Sequence, residues 1–190
     1  NCGDVMQDAA LFYANKAKCP DFSLPEHFIL ATLHRAENTD SPERLQSIIA
    51  ALEEIAREMP VVIPIHPRTR KKLQELNFDF KQTRLQLVDP VGYLEMVHLL
   101  KHCSLVATDS GGLQKEAYFF KKYCITLRTE TEWVELVEQG ANIITGWRYE
   151  DILNNYKQLK HTTKDVFSSP LYGDGEAGHI IIRELQRIDS

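Results

Sequence analysis

The chain has 190 residues, 43% of them hydrophobic and 26% charged, an ordinary globular balance for a domain that buries roughly 70% of its unfolded surface. A formal net charge of −5 argues against a nucleic-acid surface, which needs clustered basic residues. No apolar run approaches the roughly 20 residues that span a bilayer; the expectation is a cytoplasmic protein, and the opening Asn1-Cys-Gly-Asp, without Met, reads as part of something longer.

The first section, residues 4–18, reads as a helix with Val5, Ala9, Phe12 and Tyr13 on one face. From Phe28 onward, strand and helix signals alternate. Phe28–Leu33 is a continuous apolar strand; Ser41-Pro-Glu-Arg then supplies an N-cap, a Pro at the first helical position and an acid in the first turn. Leu45, Ile48, Ile49, Leu52 and Ile55 follow at helical spacing as one apolar stripe. Val61–Ile65 and Arg68–Leu76 form the next strand and helix, then Arg84–Val88 and a helix from Gly92 to His102. Ser104–Ala107 leads through a glycine turn into a helix over Leu113–Phe120. Tyr123–Leu127 pairs with a helix over Glu132–Gln139, and Ala141–Thr145 precedes helices from Tyr149 and from Glu176. Such βαβα order predicts an α/β fold: a mostly parallel, Rossmann-like sheet with helices on both faces, as one domain over residues 1–190. None of the four cysteines stands in C-x-x-C spacing, and Cys103 and Cys124 beside strands read as reduced, buried thiols.

In open sheets of this class, ligands bind beyond the carboxyl ends of the strands. The most informative end is Ala107-Thr-Asp-Ser-Gly-Gly-Leu-Gln-Lys-Glu116. A Ser110-Gly111-Gly112 turn at a helix start leaves amide N–H groups pointing outward with the positive end of the helix dipole behind them, a seat for a diphosphate. Glu116, one helical turn in, can accept two hydrogen bonds from a ribose diol. A plain tight turn with a Ser N-cap is the structural alternative, and neither G-x-G-x-x-G nor a P-loop is present.

Other strand ends carry His34, Arg35, Glu37 and Asn38; His66 and Arg68; Asp89-Pro90; and Arg128 through Glu132. A single His or Arg there is more often a cap or an ion pair. Two histidines and three arginines around one rim point to an anionic ligand held by charge-assisted hydrogen bonds. His98 and His102 lack a third ligand at zinc spacing, so no metal is expected. The acidic run Glu130–Glu138 reads as a helix start and a solvated face, and Glu53 and Glu54 as surface. No Ser-His-Asp or Cys-His grouping is legible.

Five motifs in order, His34-Arg-x-Glu-Asn, Pro64-Ile-His-Pro, Asp89-Pro, Thr108-Asp-Ser-Gly-Gly-Leu-Gln-Lys-Glu and Pro170-Leu-Tyr-Gly-Asp-Gly-Glu-Ala, give a chain that resembles the non-hydrolysing UDP-N-acetylglucosamine 2-epimerases over nearly its whole length. The resemblance implies one half of a two-domain, glycosyltransferase-B type fold: the C-terminal, UDP-binding domain, with the N-terminal domain absent. It implies that Ser110, Gly111 and Gly112 hold the diphosphate, Glu116 the ribose, and His34 the phosphates in catalysis. Arg35 and His66 match positions that, in some bacterial members, bind a second UDP-sugar as an activator; Arg35 also counts among the substrate contacts. Met96 falls where some members place a phenylalanine beside the uracil, and its thioether can pack on a ring face. Arg128 and Glu132 align with a loop near the sugar–phosphate end. The implied reaction eliminates UDP to an unsaturated glycal and adds it back with C2 inverted, without cofactor or metal, in cell-envelope polysaccharide biosynthesis. The implied partners are a UDP-sugar, the chain's own N-terminal domain and, at full length, a second copy in a homodimer, with neither nucleic acid nor membrane.

The loop Arg128-Thr-Glu-Thr-Glu-Trp-Val-Glu departs from the commoner Thr-Glu-Arg-Pro-Glu and is similar to the branch acting on UDP-2,3-diacetamido-2,3-dideoxyglucuronic acid. The alternatives are therefore that substrate, a glycosyltransferase donor domain, or a non-catalytic nucleotide-sugar sensor.

Overall fold

The computed structural model describes residues 1–162 and 164–188. Six parallel strands, β1 (Ile29–Thr32), β2 (Val61–Pro64), β3 (Gln86–Val88), β4 (Leu105–Thr108), β5 (Cys124–Thr126) and β6 (Asn142–Ile144), form one sheet in the order β3-β2-β1-β4-β5-β6. The chain works outward to one edge, returns to the centre and works outward to the other. The order therefore reverses between β1 and β4, and a crevice opens at their carboxyl ends.

Helices cover both faces: α3 (Pro42–Ile55), α4 (Pro67–Glu75) and α8 (Tyr149–Lys160) lie with one core, α5 (Tyr93–His102) and α6 (Gly111–Phe119) with the other. Alternation along β1 explains why. Ile29, Ala31 and Leu33 enter the first core, Phe28 and Leu30 the second, and all five are at most 3% exposed. Ser41 Oγ accepts from the Arg44 amide and Pro42 opens α3 as expected; its whole apolar stripe is buried. A third cluster, around Tyr118, Leu136, Val166 and Tyr172, packs α7 (Val134–Glu138) and the chain beyond residue 164 onto α6. A helical turn, α2 (Ala36–Thr39), follows β1; four residues are too few to show periodicity in the sequence.

Helix α1 (Val5–Ala14) lies within the expected residues 4–18, and its apolar face is largely open to solvent. Val5 and Phe12 are 53% and 59% exposed, and Ala10 alone is buried. Polar contacts hold its inner side instead: Asp4 at its N-cap pairs with the buried Lys115, and Lys101 donates to the Ala14 carbonyl at 2.9 Å. Asp8 caps α9 (Ala177–Ile188) through the amides of Ala177 and Gly178 at 3.2 and 2.7 Å. Glu53 is likewise more than surface, accepting the Thr83 hydroxyl and the Arg84 amide to fasten the turn before β3. Cys103 and Cys124 are free, buried thiols in the second core, and burial pushes each up to about 12.

Candidate functional site

At the switch point, the hydroxyls of Thr32 and Thr108 are 2.5 Å apart and align the ends of β1 and β4. Thr108 Oγ1 then accepts the Ser110 amide at 2.9 Å, and Ser110 Oγ accepts the Leu113 amide at 3.4 Å, starting α6. The amides of Gly111 and Gly112 belong to the first turn, which a helix leaves without an intrahelical partner. Neither glycine has a positive φ. A Cβ on Gly112 would meet nothing nearer than Met6 Cε at 3.8 Å, and one on Gly111 nothing nearer than Glu132 Oε2 at 3.4 Å. Neither turn geometry nor packing demands glycine at these two positions. At Gly112 the backbone is open toward the cleft described next.

A cleft of about 300 Å³ opens in front of this turn. Ser110, Gly112 and Glu116 line it from α6 and its cap, His34 and His66 from the ends of β1 and β2, Met96 from α5, and Pro64, Pro90 and Val91 supply apolar wall. A larger hollow of about 570 Å³ shares Pro90 and Val91, but its only charged lining residues are Asp21, Asp89 and Glu95, which repel a diphosphate. Burial holds Glu116 above the ordinary carboxylate range, and the neighbouring Tyr93 hydroxyl pulls it partway back. Burial first, and the Glu116 charge second, push Tyr93 up to about 12. His66 caps α4, its Nδ1 accepting the Arg68 amide at 3.2 Å, so Nε2 carries the proton and is the free donor. The His34 ring centre is 6.3 Å from that of His66.

Behind the glycines lies a second cluster, bonded within itself except at Arg128 Nε, which is buried without a hydrogen bond. Arg128 is 7% exposed; Nη1 bonds both oxygens of Glu132 at 3.0 and 2.9 Å, Nε is 3.4 Å from Glu37, and Nη2 is 4.0 Å from Glu130. Burial opposes the guanidinium charge, but Glu132, Glu37 and Glu130 hold it above the ordinary arginine value. Glu132 is lowered first by its own amide and then by Arg128. Below it, Gln114 Oε1 accepts from Thr131 Oγ1 at 2.6 Å and Asn142 Nδ2 at 2.9 Å, while its Nε2 donates to the Ser110 carbonyl at 3.3 Å. Trp133 Nε1 donates to the Gly111 carbonyl at 2.8 Å.

The structure thus gathers His34, His66, Met96, Ser110, Gly112 and Glu116 in one cleft. Arg35, Gly111 and Glu132 meet on the adjoining side of the turn, with the Arg35 guanidinium 3.6 Å from a Cβ built on Gly111. Two of the three expected cations face elsewhere: Arg68 pairs with Asp40 at the surface, and Arg128 is neutralised by acids. Residue patterns did not single out Trp133, Gln114 or Tyr93 as site partners. The Thr131–Trp133 stretch, next to a strand end, was the available signal for the first.

The sheet order, the switch-point crevice and the helix that starts at its mouth define a Rossmann-like α/β domain of the nucleotide-binding kind. The chain belongs to the UDP-N-acetylglucosamine 2-epimerase family, whose model matches residues 1–186. It is 50% identical, over 99% of its own length and 52% of the relative's, to a UDP-2,3-diacetamido-2,3-dideoxy-D-glucuronate 2-epimerase of Pseudomonas aeruginosa. It is 40% identical, over 85% of its length and 45% of the relative's, to a UDP-N-acetylglucosamine 2-epimerase of Methanocaldococcus jannaschii. The solved structure of the Methanocaldococcus jannaschii UDP-GlcNAc 2-epimerase in complex with UDP-GlcNAc and UDP superposes with a TM-score of 0.85 at 36% identity, covering 97% of this chain and 54% of that one. The chain spans about half the length of the relatives it matches. Among the described residues no helix is long and apolar enough to cross a membrane.

Proposed function

We propose that this chain is the C-terminal, UDP-binding half of a cytoplasmic UDP-sugar 2-epimerase. The observation that carries the reading is the Gly111–Gly112 pair: two glycines that the turn itself does not require, with unpaired amides at a helix start, beside a cleft that Gly112 lines together with a ribose-ready carboxylate. The diphosphate would lie on those amides and Ser110, flanked by His34 and Arg35. Glu116 would take the ribose hydroxyls, and the uracil would pack beside Met96. The match over half of each relative's length supports a second, N-terminal half that completes the cleft.

The chemistry follows from what each part holds. A base removes the proton at C2 as the C1–oxygen bond breaks, the electron pair leaves with UDP, and a glycal remains. UDP then adds back to C1 while C2 is protonated on the opposite face. This half holds the leaving group: amide donors, the α6 dipole and Arg35 stabilise the charge that develops on the diphosphate. The acids that move the C2 proton belong to the other half. In this reading His66, whose Nδ1 caps α4 and leaves Nε2–H as a donor, and Arg35 would meet a second nucleotide sugar acting as an activator.

Isothermal calorimetry with UDP tests the reading directly. Weak, one-to-one binding to the 190-residue chain without epimerisation is expected; measurable turnover by the pure chain, or a soaked crystal whose cleft stays empty, overturns it. A second reading of the sugar rests on the 50% identity to the diacetamido-glucuronate enzyme and on the Glu130-Thr-Glu-Trp133 loop. Turnover of that uronate in preference to UDP-GlcNAc by the full-length protein would select it.

A further inference from the structure

The carboxylate just after β4, Asp109, has no side-chain exposure and is none of the ligand contacts proposed above. Donors from the β1 side fill it. Both oxygens accept the His34 amide at 3.1 Å, and Oδ2 also accepts the Arg35 amide at 2.9 Å and Asn38 Nδ2 at 3.2 Å. Arg35, the N-cap residue of α2, makes no side-chain cap of its own, so the cap comes from a neighbouring strand. The His34 ring closes the shell with Nδ1 3.6 Å from Oδ1, and among the described residues no lysine or arginine pairs with Asp109. A carboxylate is kept out of water only where donors replace its hydration. Here those donors sit on the five-residue segment that carries His34 and Arg35.

We propose that Asp109 is a positioning residue: it grips that segment by its main chain and so aims the His34 ring and the Arg35 guanidinium at the Gly111–Gly112 turn. This rests on the functional reading above, since it gives those two side chains a diphosphate to meet. Aspartate is the residue this needs. Asparagine has the same shape but one acceptor oxygen, and its amide hydrogens would face the His34 or Arg35 N–H. With its oxygen at the Oδ2 position every donor keeps an acceptor, but the amide NH2 then stands at the Oδ1 position, 3.1 Å from the His34 amide, and that repulsion would shift the segment without loss of the fold.

The test is Asp109→Asn in the full-length protein, read as kcat and KM per folded molecule, UDP affinity by calorimetry and Tm. The expected result is a fall in kcat of roughly ten- to a hundredfold, the scale of a sub-ångström to ångström misplacement of a reacting group. KM should move by less than about threefold, because Ser110, Gly112 and Glu116 still hold the substrate, while UDP affinity should fall with kcat, because free UDP carries in full the charge that Arg35 and His34 are aimed at. A carboxylate that only holds the fold would lower Tm and leave kcat per folded molecule within about threefold of wild type, which overturns the proposal. Should Asp109→Asn fail to fold, Asn38→Ala decides: it keeps the carboxylate and removes one of its donors, together with that donor's 2.8 Å bond to the Leu127 carbonyl at the end of β5. A fall in kcat of about fivefold at constant KM supports the proposal, and unchanged kcat overturns it. Wild-type protein without UDP affinity overturns the functional reading and this inference together, and is recognised before any variant is compared.

Discussion

The two sides of the Ser110–Gly112 turn are built from similar residue types and serve opposite ends. On one side, Arg128 spends its guanidinium on Glu132, Glu37 and Glu130, and Gln114 meets Thr131, Asn142 and Ser110. On the other, the Gly111 and Gly112 amides and His66 Nε2 keep their capacity, and Glu116 sits in a desolvated place that raises it. A polar cluster bonded within itself, here all but Arg128 Nε, is scaffolding. An unsaturated one beside a cleft is ready for a partner molecule.

Four substitutions can break or sharpen that contrast. Glu116→Ala should cost UDP about 1.5–3 kcal/mol of affinity, the worth of hydrogen bonds to a charged group; unchanged affinity by calorimetry would remove the ribose role. Arg128→Ala should act on the other quantity. It leaves Glu132, Glu37 and Glu130 without their shared cation, and because those acids reach solvent the loss of stability should be about 1–2 kcal/mol, below that of a fully buried pair. Denaturant melts check this, and a drop in UDP affinity with stability intact would mean that the two sides are not separate. Gly112→Ala should weaken UDP about fivefold, near 1 kcal/mol, while holding or raising Tm, because the added methyl is 3.8 Å from its nearest neighbour and alanine favours helix. Equal affinity would return the glycine to the status of an ordinary turn.

The smallest effect is in the pH dependence of stability. A carboxyl raised in the folded state binds its proton more tightly there than in the unfolded chain, so its contribution is present at low pH and is lost as the pH rises from about 4.5 through the raised value. Glu116→Gln lacks that loss. Its Tm without ligand should therefore climb relative to wild type across that interval, and a difference flat in pH would mean that Glu116 is not desolvated.

The strands were legible because residues buried on both faces leave continuous apolar runs, as at Phe28–Leu33 and Val61–Ile65, and Ser41-Pro42 marked the start of α3 through capping chemistry alone. The glycine turn and Glu116 were legible for the same local reason. What the sequence hid depends on who packs against whom. Val5 and Phe12 share a helical face, yet they stay exposed while Asp4, Asp8 and the Ala14 carbonyl tie α1 to its neighbours. Arg68 and Arg128 stand at strand ends like Arg35, but only the tertiary structure reveals that acids from α2, the Asp40 turn and the 130–132 loop reach them first. Asp109 was visible inside its motif, while its grip on residues 34–38 required the neighbouring strand to be placed beside it.

The sealed thiols of the second core also give the molecule an internal clock. Cys103 and Cys124 sit at 1% exposure with their ionisation pushed to about 12, whereas Cys19 is open to solvent. An alkylating reagent should tag Cys19 at once and reach the inner pair only when the sheet and its α5–α6 cover part. The lag between those labelling events measures how often this layer breathes, and a nucleotide that tightens the cleft above it should lengthen the interval.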